Sequence, residues 1–264
     1  MLIDFADKTI LITAGSKGIG LELAKQFLLK NANVCICSRN KKNLDRAKKE
    51  LFKIADQSKF LIVKHDISKI NNQTKIIKDI KKKFGQDVDI LINNSGGPPP
   101  KEIEKTNLKD WDIAIKTNLM SAITLSQEVL KKMKKKRWGR IINLTSTTAK
   151  EPAKNMVLSN VTRSALSSFS KTLSVEVAKF GITVNTILTG GCMTDRLNDL
   201  IKKNSKSKSD FDKNLKKIID QTTMGRIAQP YEFVQLIIFL ASENSSYVSG
   251  SAIAIDGGSS KSIF

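Results

Sequence analysis

One histidine, three cysteines, two tyrosines and two tryptophans are spread over 264 residues, and these shortages exclude whole classes of chemistry. Three cysteines cannot close into a disulfide framework, which points to a reducing compartment. Cys35 and Cys37 share one face of an expected strand, as a metal pair would, but no second Cys/His pair exists to complete four ligands. They read as buried strand thiols, and no metal is expected. His65 stands alone beside Asp66, and without a Gly-x-Ser-x-Gly elbow a Ser-His-Asp hydrolase is a poor reading. The longest apolar run, 234–241, is interrupted by Gln235 and falls far short of the ~20 residues that span a bilayer. The first residues, Met1-Leu-Ile-Asp-Phe-Ala-Asp7, lack a basic region followed by an apolar run, so no secretory leader is expected. These absences together predict a cytoplasmic protein with no membrane partner.

Acidic residues are also scarce: 25 Asp and Glu against 45 Lys and Arg, a net charge of +20. Lysines cluster at Lys81-Lys-Lys83, at Lys131-Lys-Met-Lys-Lys-Lys-Arg137 and over 202–208. A basic patch is the electrostatic footprint of nucleic-acid binding. The first two clusters, however, fall at the ends of expected helices, where cations complement the helix dipole and stay solvated. No aromatic residues are interleaved to stack bases. The clusters read as solvated surface, and specific nucleic-acid binding is not expected.

No Pro/Gly/Ser-rich linker divides the chain, and its length suits one domain. Short β-branched runs at 9–13, 33–37, 60–64, 90–93, 140–145, 183–188 and 252–255 alternate with amphipathic segments at 19–29, 44–54, 71–84, 108–133, 157–180 and 231–241. Ile76, Ile77, Ile80 and Phe84 show the three- and four-residue steps of a helix face. This pattern predicts an α/β fold, a Rossmann-type doubly wound parallel sheet of seven strands in a single domain, with ligand at the carboxyl ends of the strands. Two stretches break the alternation. Gly96-Gly-Pro-Pro-Pro100 cannot be helix or central strand. The segment from about 190 to 223 is polar and weakly periodic, reads as a surface loop, and carries no pattern that specifies a ligand.

Several motifs occur in a telling order: Thr13-Ala-Gly-Ser-Lys-Gly-Ile-Gly20, Asn93-Asn-Ser-Gly96, Asn118, Ser146, Gly181-Ile-Thr-Val-Asn185, Gly190 with Thr194, Gly225-Arg226 with Pro230, and Ser249-Gly250 ahead of Asp256-Gly-Gly258. This array resembles the short-chain dehydrogenase/reductase family. Its style is that of 3-oxoacyl-carrier-protein-reductase-like members, including a divergent branch with Asn-x-Gly-Gly-Pro-Pro-Pro and Leu-Ser-Asn-x-x-Arg. The resemblance makes 190–223 a substrate lid. It also implies a homotetramer or homodimer, formed through the helices at 108–133 and 157–180 and the last strand.

The glycine loop, with Gly15, Ser16, Lys17, Gly18, Ile19 and Gly20, is expected to let backbone approach a pyrophosphate at a helix start. The second strand ends Ser38-Arg39, with no carboxylate to hold ribose hydroxyls, while Arg39 and Lys17 suit a 2′-phosphate. NADP(H) is the expected cofactor. The family places Asp66 and Ile67 at the adenine, and Asn94, Ser95, Gly96, Gly190 and Thr194 along the rest of the dinucleotide. Thr189 stands where the family has proline, which makes that turn less rigid.

The family's reaction uses a Ser…Tyr-x-x-x-Lys set with an asparagine. Ser146 and Asn118 match it, but the tyrosine and lysine positions hold Ser159 and Arg163. Neither Tyr231 nor Tyr247 has a lysine four residues on. A serine hydroxyl is a far weaker acid than a phenol with a pKa of about 10. Losing the proton donor slows turnover by about 10²–10⁴-fold. Arg163 keeps a cation for the ribose or for an oxyanion. The expected activity is an NADP-dependent oxidoreductase acting on a small carbonyl or alcohol substrate, with Asn118, Ser146, Ser159 and Arg163 as its reactive set. The alternative is a non-catalytic NADP(H)-binding sensor or scaffold on the same fold.

Overall fold

The computed structural model describes residues 3–263. Strands β1 (Thr9–Ile12), β2 (Asn33–Ser38), β3 (Phe60–Lys64), β4 (Ile90–Asn93), β5 (Gly139–Leu144), β6 (Ile182–Thr189) and β7 (Ala252–Ile255) form one parallel seven-stranded sheet in the order β3-β2-β1-β4-β5-β6-β7. The order reverses between β1 and β4, where Ile10 pairs with Ile90 and Ile12 with Ile92. A crevice opens beyond the strand ends at such a reversal.

Alternate residues of each central strand face two separate apolar layers, which is why the strands read as nearly unbroken Val/Ile/Leu runs. On one face Ile10, Ile12 and Ile36 pack with α1 (Gly18–Leu28), α2 (Lys41–Leu51) and a later helix through Leu23, Phe27, Leu44, Leu51, Ile237 and Leu240. On the other, Leu11, Leu91 and Ile141 meet Ile76 and Ile80 of α3 (Gln73–Phe84) and residues of the long central helices. Cys35 and Cys37 belong to this second layer, and burial pushes the Cys37 thiol up to about 12. Both are core residues, as expected.

The expected helix over 108–133 is divided into α4 (Leu108–Ile115), a π-turn (Lys116–Met120) and α5 (Ser121–Lys136). Ser121 Oγ donates to Thr117 O and Thr124 Oγ1 to Met120 O, so side-chain hydroxyls compete for the carbonyls around the wide turn. The insertion holds Asn118 inside, 3% exposed. Beyond α6 (Val157–Val177) and β6, the segment expected as a loop forms α7 (Asp195–Lys203) and α8 (Lys208–Asp220). Thr194 and Ser207 cap their starts. Phe211, Leu215, Ile218 and Ile219 of α8 do recur at helical steps, but they are only half-buried among lysines and aspartates, so the polar composition masked the stripe. The last helix, α9 (Pro230–Ala241), opens with proline and a capping box between Gln229 and Glu232. Every other expected strand and helix bound lies within three residues of the observed one. No described helix is long and apolar enough to cross a membrane.

Candidate active site and cofactor cradle

Thr13 latches the ends of β1 and β4 together. Its hydroxyl donates to Asn94 O at 2.6 Å and accepts from Asn94 N at 2.8 Å. The chain then turns with Ala14 at φ +47°, a left-handed conformation that costs an L-residue about 1–2 kcal/mol. A Cβ at Gly15 would stand 2.7 Å from the Ile36 side chain, and one at Gly20 would stand 2.8 Å from both Ala14 O and Asn94 Nδ2. Both positions therefore demand glycine. The side chain of Lys17 does not cap α1, whereas Asn40, Asn107, Thr194 and Ser207 each cap their helices. The first-turn N–H groups of α1 are left for an anion, on the positive end of the helix dipole. A dinucleotide's pyrophosphate fits this cradle.

At the far end of β2 and β3 a cavity of about 360 Å³ is lined by Arg39, Lys64, His65, Asp66, Lys69 and Lys75, among others. Arg39 is exposed, its neighbour Ser38 is half-buried and Ile67 is buried; neither Ser38 nor Ile67 lines the cavity. Asp66 closes its own turn by accepting from Ser68 N and Ser68 Oγ, at 3.0 and 2.8 Å. His65 is tied to Gln73 at 3.0 Å and is a structural residue. Lys17, expected to join Arg39, does not line this cavity; Lys64, Lys69 and Lys75 supply the extra cations. Those three lie in or beyond β3, where the lysine-rich background hid them.

The reactive groups gather beyond β4 and β5. Ser95 Oγ donates to Asn118 Oδ1 at 2.9 Å, and Asn118 Nδ2 donates to Ala114 O at 3.2 Å. Ser146 Oγ accepts from Thr148 N at 3.2 Å; among the described residues its own hydrogen is given to no protein acceptor. Ser159, 3% exposed on α6, lies 3.4 Å from Thr148 Oγ1. Thr148 is thus the hinge between the two serines, and no motif marked it. Thr189 does not loosen its turn: its hydroxyl donates to Thr145 O at 2.8 Å, replacing a proline's stiffness with a tie to β5. Gly190 follows, where a Cβ would stand 2.6 Å from Asp256 Cα. Thr194 packs over the loop, its methyl 3.1 Å from where a Gly18 Cβ would lie.

Arg163 is 8% exposed and donates through Nη1 to Leu144 O at 3.1 Å. Burial first, and then the charge of Arg196, push its guanidinium down to about 10, so it stays cationic at neutral pH. Arg196, in the first turn of α7, donates to Pro98 O at 3.1 Å and ties α7 to the Gly96-Gly97-Pro98 stretch. The described site residues thus comprise two guanidinium groups, two serines, a threonine and an asparagine, and no phenol is among them.

Comparison with known proteins bears on the family of the whole chain. The short chain dehydrogenase family matches residues 8–205. The NADPH-dependent reductase BacG of Bacillus subtilis is 31% identical over 260 residues, covering 97% of this chain and 99% of its own. The 3-oxoacyl-(acyl-carrier-protein) reductase FabG of Buchnera aphidicola subsp. Acyrthosiphon pisum is 34% identical over 251 residues, covering 95% and 96%. The crystal structure of L-sorbose reductase from Gluconobacter frateurii, complexed with NADPH and L-sorbose, superposes with a TM-score of 0.93 at 30% identity over 100% of both chains. The chain belongs to the short-chain dehydrogenase family, with a 3-oxoacyl-reductase-like pattern.

Proposed function

We propose that the protein is an NADPH-dependent reductase of a small carbonyl compound. The carrying observation is that one chain holds both an uncapped helix start suited to a pyrophosphate and a Ser146 whose hydroxyl hydrogen is, among the described residues, uncommitted. Arg39 with Lys64, Lys69 and Lys75 would receive the 2′-phosphate of the cofactor, since nothing acidic ends β2. When bound, NADPH supplies the hydride.

The protein's own residues do the rest. Ser146 donates its hydrogen to the carbonyl oxygen, and the Thr148 N–H on its oxygen makes it a better donor. Arg163, charged and largely dry, stabilises negative charge as it develops on that oxygen. Asn118, fixed by Ser95, holds water beside the cleft, and the proton that completes the alcohol comes from that water rather than from a phenol. Ser159 is a spacer in this scheme, because its hydroxyl faces Thr148. The segment 190–223 serves as the substrate lid, held at its base by Arg196.

The functional unit we propose is a homotetramer or homodimer. Leu108 and Val175 are 87% and 71% exposed on α4 and α6, and β7 is an uncovered sheet edge. Light scattering that returns a monomer at micromolar concentration contradicts this.

The functional test is NADPH consumption against a panel of aldehydes, ketones and oxo acids, beside a fluorescence titration of NADPH. Carbonyl-dependent oxidation supports the reductase. Tight NADPH binding with no oxidation on any carbonyl favours a sensor instead.

A further inference from the structure

Three arginines are buried or partly buried in this chain, and they are treated differently. Arg140, in β5, is 1% exposed; it donates to Ser242 O, Gly139 O and Gly181 O, faces Glu243 at 3.7 Å, and stacks 4.5 Å from the Trp138 ring centre. That is how the fold neutralises a guanidinium it buries for structure. Arg163 and Arg196 receive no such treatment. Among the described residues each donates to one backbone carbonyl, and neither forms an ion pair with a carboxylate. Each guanidinium has five N–H donors, so most remain unspent.

The two groups also converge. A methyl group added at Gly97 would stand 3.1 Å from Arg196 Nη2 and 3.2 Å from Arg163 Nη2. Two like charges thus border one small space that only a residue without a side chain leaves open. Keeping them there is unfavourable unless an anion joins them. The space lies toward Ser146: Arg163 is held at Leu144 O, on the strand that leads to Ser146, and Gly97 follows the Ser95–Asn118 pair.

We propose that Arg163 and Arg196 form a carboxylate-binding site, which makes the substrate a small oxo acid. Arg196 is its specificity-determining residue, arriving on the lid helix, while Arg163 is shared with the reacting oxygen. This rests on the reductase reading. In the reduction, the carbonyl carbon gains a C–H bond by hydride transfer, the carbonyl π pair moves to oxygen, and that oxygen takes a proton from water. NADPH becomes NADP⁺, and the carboxylate is unchanged.

The test pairs small 2-oxo and 3-oxo acids with their methyl esters and measures kcat/KM with saturating NADPH. The wild-type protein prefers the acids by about 10–100-fold, the worth of charge-assisted hydrogen bonds. Arg196→Gln removes most of that preference, lowering kcat/KM for the acids far more than for the esters, whose smaller loss reports the missing tie to Pro98; Arg196→Lys retains part of the preference, since charge survives and the fork does not. Equal rates on acid and ester, or an Arg196→Gln loss shared equally by both, overturns the site. Weakened NADPH affinity in Arg196→Gln also overturns it, by assigning Arg196 to a cofactor phosphate.

A second arm needs no turnover: calorimetric titration of malonate into the NADPH complex. Binding that Arg196→Gln abolishes supports the carboxylate site even if no carbonyl is reduced, in which case the reductase reading fails alone. Absence of malonate binding to a wild-type complex that does reduce carbonyls overturns the carboxylate site alone. Thermal melts of both variants separate these results from misfolding.

Discussion

Ser159 Oγ lies 3.4 Å from Thr148 Oγ1, and Thr148 in turn donates its N–H to Ser146 Oγ at 3.2 Å. Ser159 thus reaches the reactive serine only through Thr148. A hydroxyl at that range and with no neighbouring base is a spacer and a weak tie. Ser159→Ala is expected to leave carbonyl reduction nearly unchanged and to cost about 1 kcal/mol of stability, the usual worth of a neutral hydrogen bond. Steady-state NADPH oxidation and denaturant melts measure the two quantities. Loss of activity with an intact melt would make serine part of the proton path.

Arg163 spends one donor on Leu144 O and keeps others that can also reach the cofactor ribose, so Arg163→Ala is expected to weaken NADPH binding by about 1–3 kcal/mol, the range for a lost hydrogen bond to a charged group. Its guanidinium is lowered to about 10 by burial and by Arg196, so its charged form is present below that pH and fades as pH rises through it. The Arg163 contribution to NADPH affinity is therefore flat from neutral pH up to about 9 and declines above. Fluorescence titrations of wild type and variant across pH check both statements. Unchanged affinity in Arg163→Ala would remove the arginine from the cofactor's reach.

Cofactor preference turns on one exposed residue. Arg39 lines the cavity beyond β2, no acid ends that strand, and the cavity's Asp66 is engaged in its own turn with Ser68. Arg39→Asp repels the 2′-phosphate and accepts from both ribose hydroxyls, so the ratio of NADPH to NADH affinity inverts. Parallel titrations of the two cofactors read the ratio directly; tighter NADH binding by the wild type would refute the assignment.

Much of this site was legible because backbone needs leave marks in sequence. Gly15 and Gly20 are required by contacts of 2.7 and 2.8 Å, and the sheet order follows from alternating strand and helix periods. The strand bounds at 60–64, 90–93 and 252–255 are the observed ones because turn residues flank them closely. What escaped is what long-range packing decides. Arg196 lies in a polar stretch whose helices bury little, and only the fold brings it to Pro98. Thr148 sits beyond the reactive serine in a short 3₁₀ turn that no spacing rule marks. The π-turn at Asn118 keeps the backbone helical between α4 and α5, with no glycine or proline to mark the break, so the two helices read as one.

Ala14 stands where the family's glycine loop begins and holds φ +47°. An alanine there carries strain that glycine does not, partly offset by glycine's greater freedom in the unfolded chain. Ala14→Gly is expected to stabilise the protein by about 0.5–1 kcal/mol, raising Tm by a few degrees, and to leave NADPH affinity unchanged. A calorimetric Tm at or below that of the wild type would show that the loop relaxes around alanine at no cost.

The sharpest prediction concerns the missing acid. Ser159→Tyr with Arg163→Lys restores the family's pair at the same positions of α6, thirteen and seventeen residues after Ser146. Tyrosine brings a phenol with a pKa of about 10, and a lysine one helical turn on lowers it toward the working pH. General-acid assistance of this kind is worth about 10²–10⁴-fold. The full gain is not expected, because Ser159 is buried and a phenol must displace Thr148 to reach the cleft. Replacing Arg163 also removes half of the facing pair, so the double variant is expected to gain rate on neutral carbonyls and to lose affinity for oxo acids. Its kcat should acquire a basic limb where the lowered phenol titrates, below the limb near 10 at which Arg163 loses its charge in the wild type. A double variant that binds NADPH yet reduces nothing faster than the wild type, with no new limb in its pH profile, would show that Ser146 and Thr148 have reshaped the cleft around the absent phenol.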